Sequence, residues 1–174
     1  VAASYGPNIN QTMPPEAVPD AWKALKTAQA LRENETPREQ AYIDAVAARY
    51  SESGDDRAKL DRAYADAMAK LVAAYPDDLD AATLYSESLM DLMPWDYYQK
   101  DGTPKPDTAI ILAQLERVIA TNAEHPGALH FYIHAVEASP HPERANGAAA
   151  RLGALMPGAG HLVHMPSHIY ARTG

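Results

Sequence analysis

Two pairs of histidines recur at one fixed spacing. His130 and His164 lie 34 residues apart in the 174-residue chain, and so do His134 and His168. The segments around these pairs, "VIATNAEHPGALHFYIHA" and "LGALMPGAGHLVHMPSH", superpose as a helix end, a turn and a new helix, and "LVAAYPDDLDAATLYSES" follows the same scheme. A unit that repeats every 20–50 residues or so predicts a solenoid, because each unit buries its apolar face only against its neighbours.

Helical patterns follow one another along the chain, and no stretch has convincing period-two alternation. "ETPREQAYIDAVAARY" opens with Thr36 as N-cap, Pro37 in the first turn and Glu39 at the third helical position, which is a capping box. Asp107 is predicted to cap another helix, whereas "MPWDYYQKDGTPKP" is typical of a loop. The predicted fold class is all-α, built from antiparallel helix pairs. Helices are predicted over 16–32, from Pro37, over 55–74 and 78–92, from Asp107, and over 127–138, 142–155 and 161–173.

Composition excludes several classes of partner. The net charge is -8 and no cluster of lysine and arginine is present, so a nucleic-acid partner is not expected. The absence of cysteine removes disulfides and thiolate metal ligands. No stretch reaches the roughly 18 apolar residues of a membrane span. The chain starts at Val1 without methionine and stops at Gly174 after a helical pattern without a partner helix, so we expect a fragment of a longer protein.

With Pro157 as the closing proline, residues 126–159 form one repeat that resembles the tetratricopeptide-repeat (TPR) family. The resemblance is good over 79–174 and looser over 1–78, where the repeats are degenerate. It implies a right-handed solenoid, one domain over 1–174, whose first helices line a concave groove. "GHLVHMPSHIY" is also similar to a motif of some bacterial TPR-like proteins, which suggests a bacterial origin and leaves exported and cytoplasmic locations open. The repeat positions that match are Leu129, Ile133, Ala145, Ala149 and Leu152, with Tyr170 in the next repeat.

A polar stripe with spacings of 3, 4 and 3 runs beside the apolar stripe of each first helix. In the TPR family this stripe faces the groove, so the resemblance places five of the seven histidines on one surface. Neighbouring first helices lie about 10 Å apart, so histidine pairs at equivalent heights could share one ion. His125 and His141 fall in turns. The stripe carries Glu87 in one repeat, His130, His134 and Glu137 in the next, and His161, His164 and His168 in the last.

The stripe predicts one transition-metal ion, which could be Zn, Cu, Fe or Ni, because imidazole nitrogen binds all of these. The predicted ligands are His130, His134, His164 and His168. Pro166 could instead delay the last helix. His168 would then join only His130 and His134, in a three-histidine site with an open position that is typical of catalysis. Three further residues, Glu87, Glu137 and His161, are predicted either to bind the ion as additional ligands or to orient the histidines that do.

Other residues are predicted to line the groove or contact its ligand: Tyr85, Trp95, Tyr132 and Arg172. The loop around Trp95 is interpreted either as an aromatic lid or, preferably, as a loop that packs its own tryptophan. Asn8 and Asn10 are expected to form a capped turn. Asp78 is expected to cap a helix.

Three functions remain open. The first is a binding module whose groove takes a peptide or protein partner and contains the metal site. The second is a metal-dependent hydrolase or oxidoreductase, with Glu137 or Glu87 as base and its catalytic residues otherwise unassigned. The third is a peptide scaffold without any cofactor. A homo-oligomer could form through the unpaired C-terminal helix.

Overall fold

The computed structural model describes residues 1–54 and 56–174, and within those ranges it is all-helical. Two isolated bridges, Asn8 with Gln11 and Tyr98 with Pro104, are the only β pairing in the described ranges, so the predicted all-α class is confirmed there. The helices are α1 (Val18–Leu31), α2 (Pro37–Ala48), α3 (Arg57–Ala74), α4 (Leu79–Met90), α5 (Pro106–Thr121), α6 (Pro126–Val136), α7 (Asn146–Leu155), α8 (Gly160–His164) and α9 (Pro166–Thr173).

The chain divides into two compact units, Val1–Trp95 and Asp96–Gly174. In the first unit α2 packs on α3 and α3 on α4. In the second unit α5 packs on α6, α6 on α7, and α7 on both α8 and α9. The single domain over 1–174 and the solenoid arrangement stay predictions.

Helix starts follow the capping residues of the sequence. Thr36 accepts from the backbone N–H of Glu39, whose side chain accepts from Thr36 in return, so the capping box is confirmed. Asp78 caps α4 through the N–H of Ala81, also as predicted. The prediction for Asp107 was wrong, because α5 begins one residue earlier, at Pro106. Asp107 lies in the first turn instead, where its carboxylate still stabilises the helix by interacting with the positive end of the helix dipole.

The first unit buries a charged pair as well as an apolar core. Arg49 is 2% exposed and donates to Asp91 Oδ2 at 2.6 Å and to the Pro7 carbonyl at 2.8 Å. Its guanidinium also lies 4.6 Å from the centre of the Tyr64 ring. A buried arginine needs these partners, because an unpaired interior charge is strongly destabilising.

The second unit is organised around α6, which packs between α5 and α7. Leu129, Ile133 and Val136 are fully buried, and they fix one side of this helix against its neighbours. Met165, at the junction of α8 and α9, and Ile169 of α9 are also fully buried. This burial holds the last two helices in place and determines where their histidines lie.

Across residues 1–54 and 56–174, no helix has the length and apolar character needed to cross a bilayer.

Candidate metal centre

One half of the centre comes from α6. The helix starts at Pro126, and the imidazole of His125 caps it by accepting from the N–H of Ala128. His130, His134 and the adjoining Glu137 follow at spacings of four and three, which place them on one side of a helix. The TPR-like placement of this stripe in a groove stays a prediction.

The other half comes from α8 and α9, which meet at Pro166. The predicted continuous helix over 161–173 is divided, because a proline nitrogen cannot donate to the preceding turn and instead suits the first position of a new helix. His161 and His164 nevertheless lie on a helical turn, α8, and His168 lies on α9. Direct contact between α6 and α9 brings the two halves together.

Three imidazoles form a group compact enough to hold one ion. His130 Nε2 and His161 Nε2 are 2.9 Å apart, and ligand nitrogens of these two residues and of His134 all lie within 4.8 Å of one another. Two nitrogens bound to one zinc at 2.0–2.1 Å and at the tetrahedral angle would be about 3.3–3.4 Å apart. Small side-chain rotations would therefore bring the group to coordination distance.

The remaining two histidines form a pair beside this group. His164 Nε2 and His168 Nε2 are 3.0 Å apart, and Ser167 Oγ lies 3.3 Å from His164 Nδ1. The His168 ring centre is 5.6 Å from that of His134, so the pair and the three-histidine group adjoin. The predicted ligand set joined His164 and His168 to His130 and His134 around one ion. In the structure His161 contacts His130, and the assignment of ligands stays a prediction.

Glu137 connects the two sets of histidines. Its Oε2 lies 2.8 Å from His168 Nδ1, and its Oε1 lies 3.4 Å from His134 Nδ1. A carboxylate only accepts hydrogen bonds, so both Nδ1 atoms carry the proton and both Nε2 atoms keep the lone pair. This is the arrangement in which a carboxylate orients a metal-binding imidazole.

Electrostatics favour the neutral form of two imidazoles in the cluster, His130 and His161. Burial lowers the pKa of His130 to about 3, with further contributions from His134, His161 and His168. Burial and the neighbouring histidines also lower the pKa of His161. For Glu137, burial acts to raise the pKa, but the hydrogen bonds from His134 and His168 outweigh it and the pKa is lowered. Neutral imidazole and an ionised carboxylate are the forms that a cation requires.

Exposure changes steadily across the cluster. His134 is only 1% exposed and Glu137 only 6% exposed, whereas His130 is half-buried and His161 is exposed. An ion held by the three histidines would therefore have one side anchored in the protein and one side open to solvent.

Four other residues were predicted to line the groove, and that role stays a prediction for each of them. The Tyr132 hydroxyl points to Glu116 on α5, which also pairs with Arg144. Tyr132 is two positions from His130, or about 200° around the helix, so this opposite placement was predictable from spacing. Tyr85 packs against the core of the first unit. Trp95 is 46% exposed, which contradicts the interpretation that its loop packs it, and Arg172 is exposed on α9.

Glu87 belongs to α4 of the first unit, where Arg49 and Asp91 are its electrostatic neighbours. Burial raises its pKa. Its role as an additional ligand stays a prediction. Among the minor features, His141 directly precedes a 3-10 helix, Pro142–Ala145, and lies beside Glu143. Asn8 accepts from the N–H of Asn10 in the expected capped turn.

No match was found when the chain was compared with protein-family models, with curated proteins and with solved structures.

Proposed function

We propose that this chain is a TPR-like helical-repeat binding protein that holds one transition-metal ion through His130, His134 and His161, within a concave groove. The compact three-histidine group is the observation that carries the proposal. His130 and His134 lie on α6 and His161 lies on α8. The group therefore forms through the packing of separate helices and not through closeness in sequence.

Two features support the TPR-like part of the proposal. The 34-residue spacing between the histidine pairs is the period of that family. The packing of α6 on α7, of α7 on α8 and α9, and of α6 on α9 is the neighbour pattern expected when one helical pair stacks on the next. Such a groove would bind a peptide or protein partner, and the last helix could pair with a second copy of the chain.

The donor set limits which metal fits. The group offers imidazole nitrogen only, and the chain has no cysteine. Imidazole suits Zn²⁺, Cu²⁺, Ni²⁺ and iron, whereas Ca²⁺ and Mg²⁺ require oxygen ligands. Glu137 orients His134 for the ion through its Nδ1 contact.

A metal-dependent enzyme is the second candidate, and the open side of the group favours it. Three histidine ligands with a fourth position facing solvent are typical of catalytic zinc, since a bound water can be activated there. Exposed His161 borders that open side. Turnover of ester, amide or phosphate substrates by the metal-loaded protein, lost in His161→Ala, would favour the enzyme over the binding module.

Thermal unfolding with added metal tests the proposal. An ion that binds only the native state raises the melting temperature, by an amount that grows with its concentration. We expect Zn²⁺ to raise it for the wild type and for His141→Ala, the matched control at an exposed position. We expect a clearly smaller rise for His130→Ala/His161→Ala, which spares buried His134. Equal rises in all three proteins would contradict the site, and no rise in any would favour the metal-free peptide scaffold.

A further inference from the structure

The histidine cluster contains the same local arrangement twice. His130 and His161 bring their Nε2 atoms to 2.9 Å, and His164 and His168 bring theirs to 3.0 Å. At these distances one imidazole of each pair donates its N–H to the lone pair of the other. Each pair therefore holds a proton between two nitrogens, at the position where a cation would bind.

We infer that His164 and His168 form a second binding position for a divalent late transition metal, beside the ion that the proposed function assigns to the three-histidine group. For an ion to bind here, His164 must change tautomer: its proton moves through solvent from Nε2 to Nδ1, where Ser167 Oγ lies 3.3 Å away and can accept it. Both imidazoles stay neutral, no net proton is released, and each Nε2 then donates its lone pair to the metal. The inference adds to the proposed function and shares residues with it only through Glu137.

The orientation of His168 supports a metal-binding role. Glu137 Oε2 accepts from His168 Nδ1 at 2.8 Å, so the lone pair of this imidazole lies on Nε2, towards His164. Glu137 Oε1 faces His134 Nδ1 at 3.4 Å, so the same carboxylate orients one histidine at each position. The negative charge of Glu137 also favours a cation at either position.

The protein environment sets the relative strength of the two positions. The His168 side chain is 24% exposed, and His164 and Ser167 are exposed, so the second position is the more open one. It has two protein ligands and water would supply the others, whereas the first group has three. We therefore expect the second ion to bind more weakly and to exchange faster, and Cu²⁺ to bind there more tightly than Zn²⁺.

Counting ions tests the inference. Untagged protein is dialysed to equilibrium against Cu²⁺, and bound copper is measured by elemental mass spectrometry. We expect two equivalents for the wild type and for His141→Ala, and one for His164→Ala, which removes an exposed side chain. His168→Ala is a second variant of the same position and should also retain one.

The experiment separates this inference from the proposed function. His130→Ala/His161→Ala should retain one equivalent, held by His164 and His168. One equivalent in the wild type, unchanged in His164→Ala and His168→Ala, would overturn the second position and leave the first intact. The opposite pattern, in which His130→Ala/His161→Ala loses no copper while His164→Ala does, would overturn the proposed function and support the second position.

Discussion

Glu137, which directly follows α6 as its C-cap, accepts a hydrogen bond from His168 Nδ1 on α9 at 2.8 Å, across a sequence separation of 31 residues. The contact joins the C-terminal end of α6 to α9, and the other carboxylate oxygen faces His134. The Glu137 side chain thereby fixes the position of His168 and sets the tautomers of His134 and His168. The metal-binding property of the cluster should therefore depend on Glu137 even though it need not touch an ion.

Glu137→Gln tests that dependence. The amide keeps the shape and one accepting oxygen but removes the charge, so we expect metal affinity to fall by about 10–100-fold. Competition with a chromogenic chelator would measure the change. Glu143→Gln is the matched control, since exposed Glu143 contacts only His141 among the histidines and should leave affinity unchanged. Wild-type affinity in Glu137→Gln would show that the carboxylate does not orient the ligands.

The buried pair of Arg49 and Asp91 is expected to dominate the stability of the first unit. Arg49→Met leaves Asp91 buried without its cation, which should lower the free energy of unfolding by about 3–5 kcal/mol. Urea denaturation measures this loss. The control, Arg32→Met, breaks a solvent-exposed pair with Asp44 and should change stability little. Similar losses in the two variants would contradict the importance of burial.

Stability should also decrease with rising pH because of two carboxyl groups one turn apart, Glu87 on α4 and Asp91 at its C-cap. Burial, with the nearby charge of Glu87, raises the pKa of Asp91 to about 7, and burial raises the pKa of Glu87. The folded state therefore holds protons that the unfolded chain has released. This contribution is fully present below about pH 4, the ordinary carboxyl range, and is lost as pH rises towards 7.

Glu87→Gln isolates this effect. The amide cannot ionise, and its neutrality removes one cause of the raised pKa of Asp91. The free energy of unfolding, measured in urea between pH 5 and 8, should fall less with pH in the variant than in the wild type. Parallel pH profiles for the two proteins would show that Glu87 does not carry the proton.

Helix capping gives a prediction with a neighbouring control. Asp78 accepts from the N–H of Ala81 and from the hydroxyl of Tyr42, so it both caps α4 and ties it to α2. Asp78→Ala should cost about 0.5–2 kcal/mol of stability. Adjacent Asp77 is exposed, and Asp77→Ala should have little effect on the urea midpoint. Equal costs at both positions would contradict the assignment of the cap.

The helices were largely predictable because their signals are local. The Thr36 capping box, the Asp78 cap and the prolines at helix starts act within one turn, so sequence alone reports them. The predicted cap at Asp107 was wrong because α5 starts one residue earlier than expected. Pro106 takes the first helical position, which leaves Asp107 inside the first turn.

The composition of the cluster was harder to predict, because it depends on how α6, α8 and α9 pack. The repeat spacing predicted one site formed by His130, His134, His164 and His168, and that assignment stays a prediction. The break at Pro166 divides the last helix, so His164 and His168 lie on two short helices, and it is His161 that contacts His130. The part played by Glu116 and Arg144 around Tyr132 is likewise a tertiary contact without a local signal.

The most direct test of the proposed centre is the metal content of untagged protein, measured by elemental mass spectrometry alongside the His130→Ala/His134→Ala/His161→Ala variant. Protein loaded with Zn²⁺ and then desalted should retain the tightly held ion of the three-histidine group. The variant, checked for a native circular-dichroism spectrum, should lose that equivalent. Absence of bound metal in the loaded wild type, or equal metal in both proteins, would contradict the central claim.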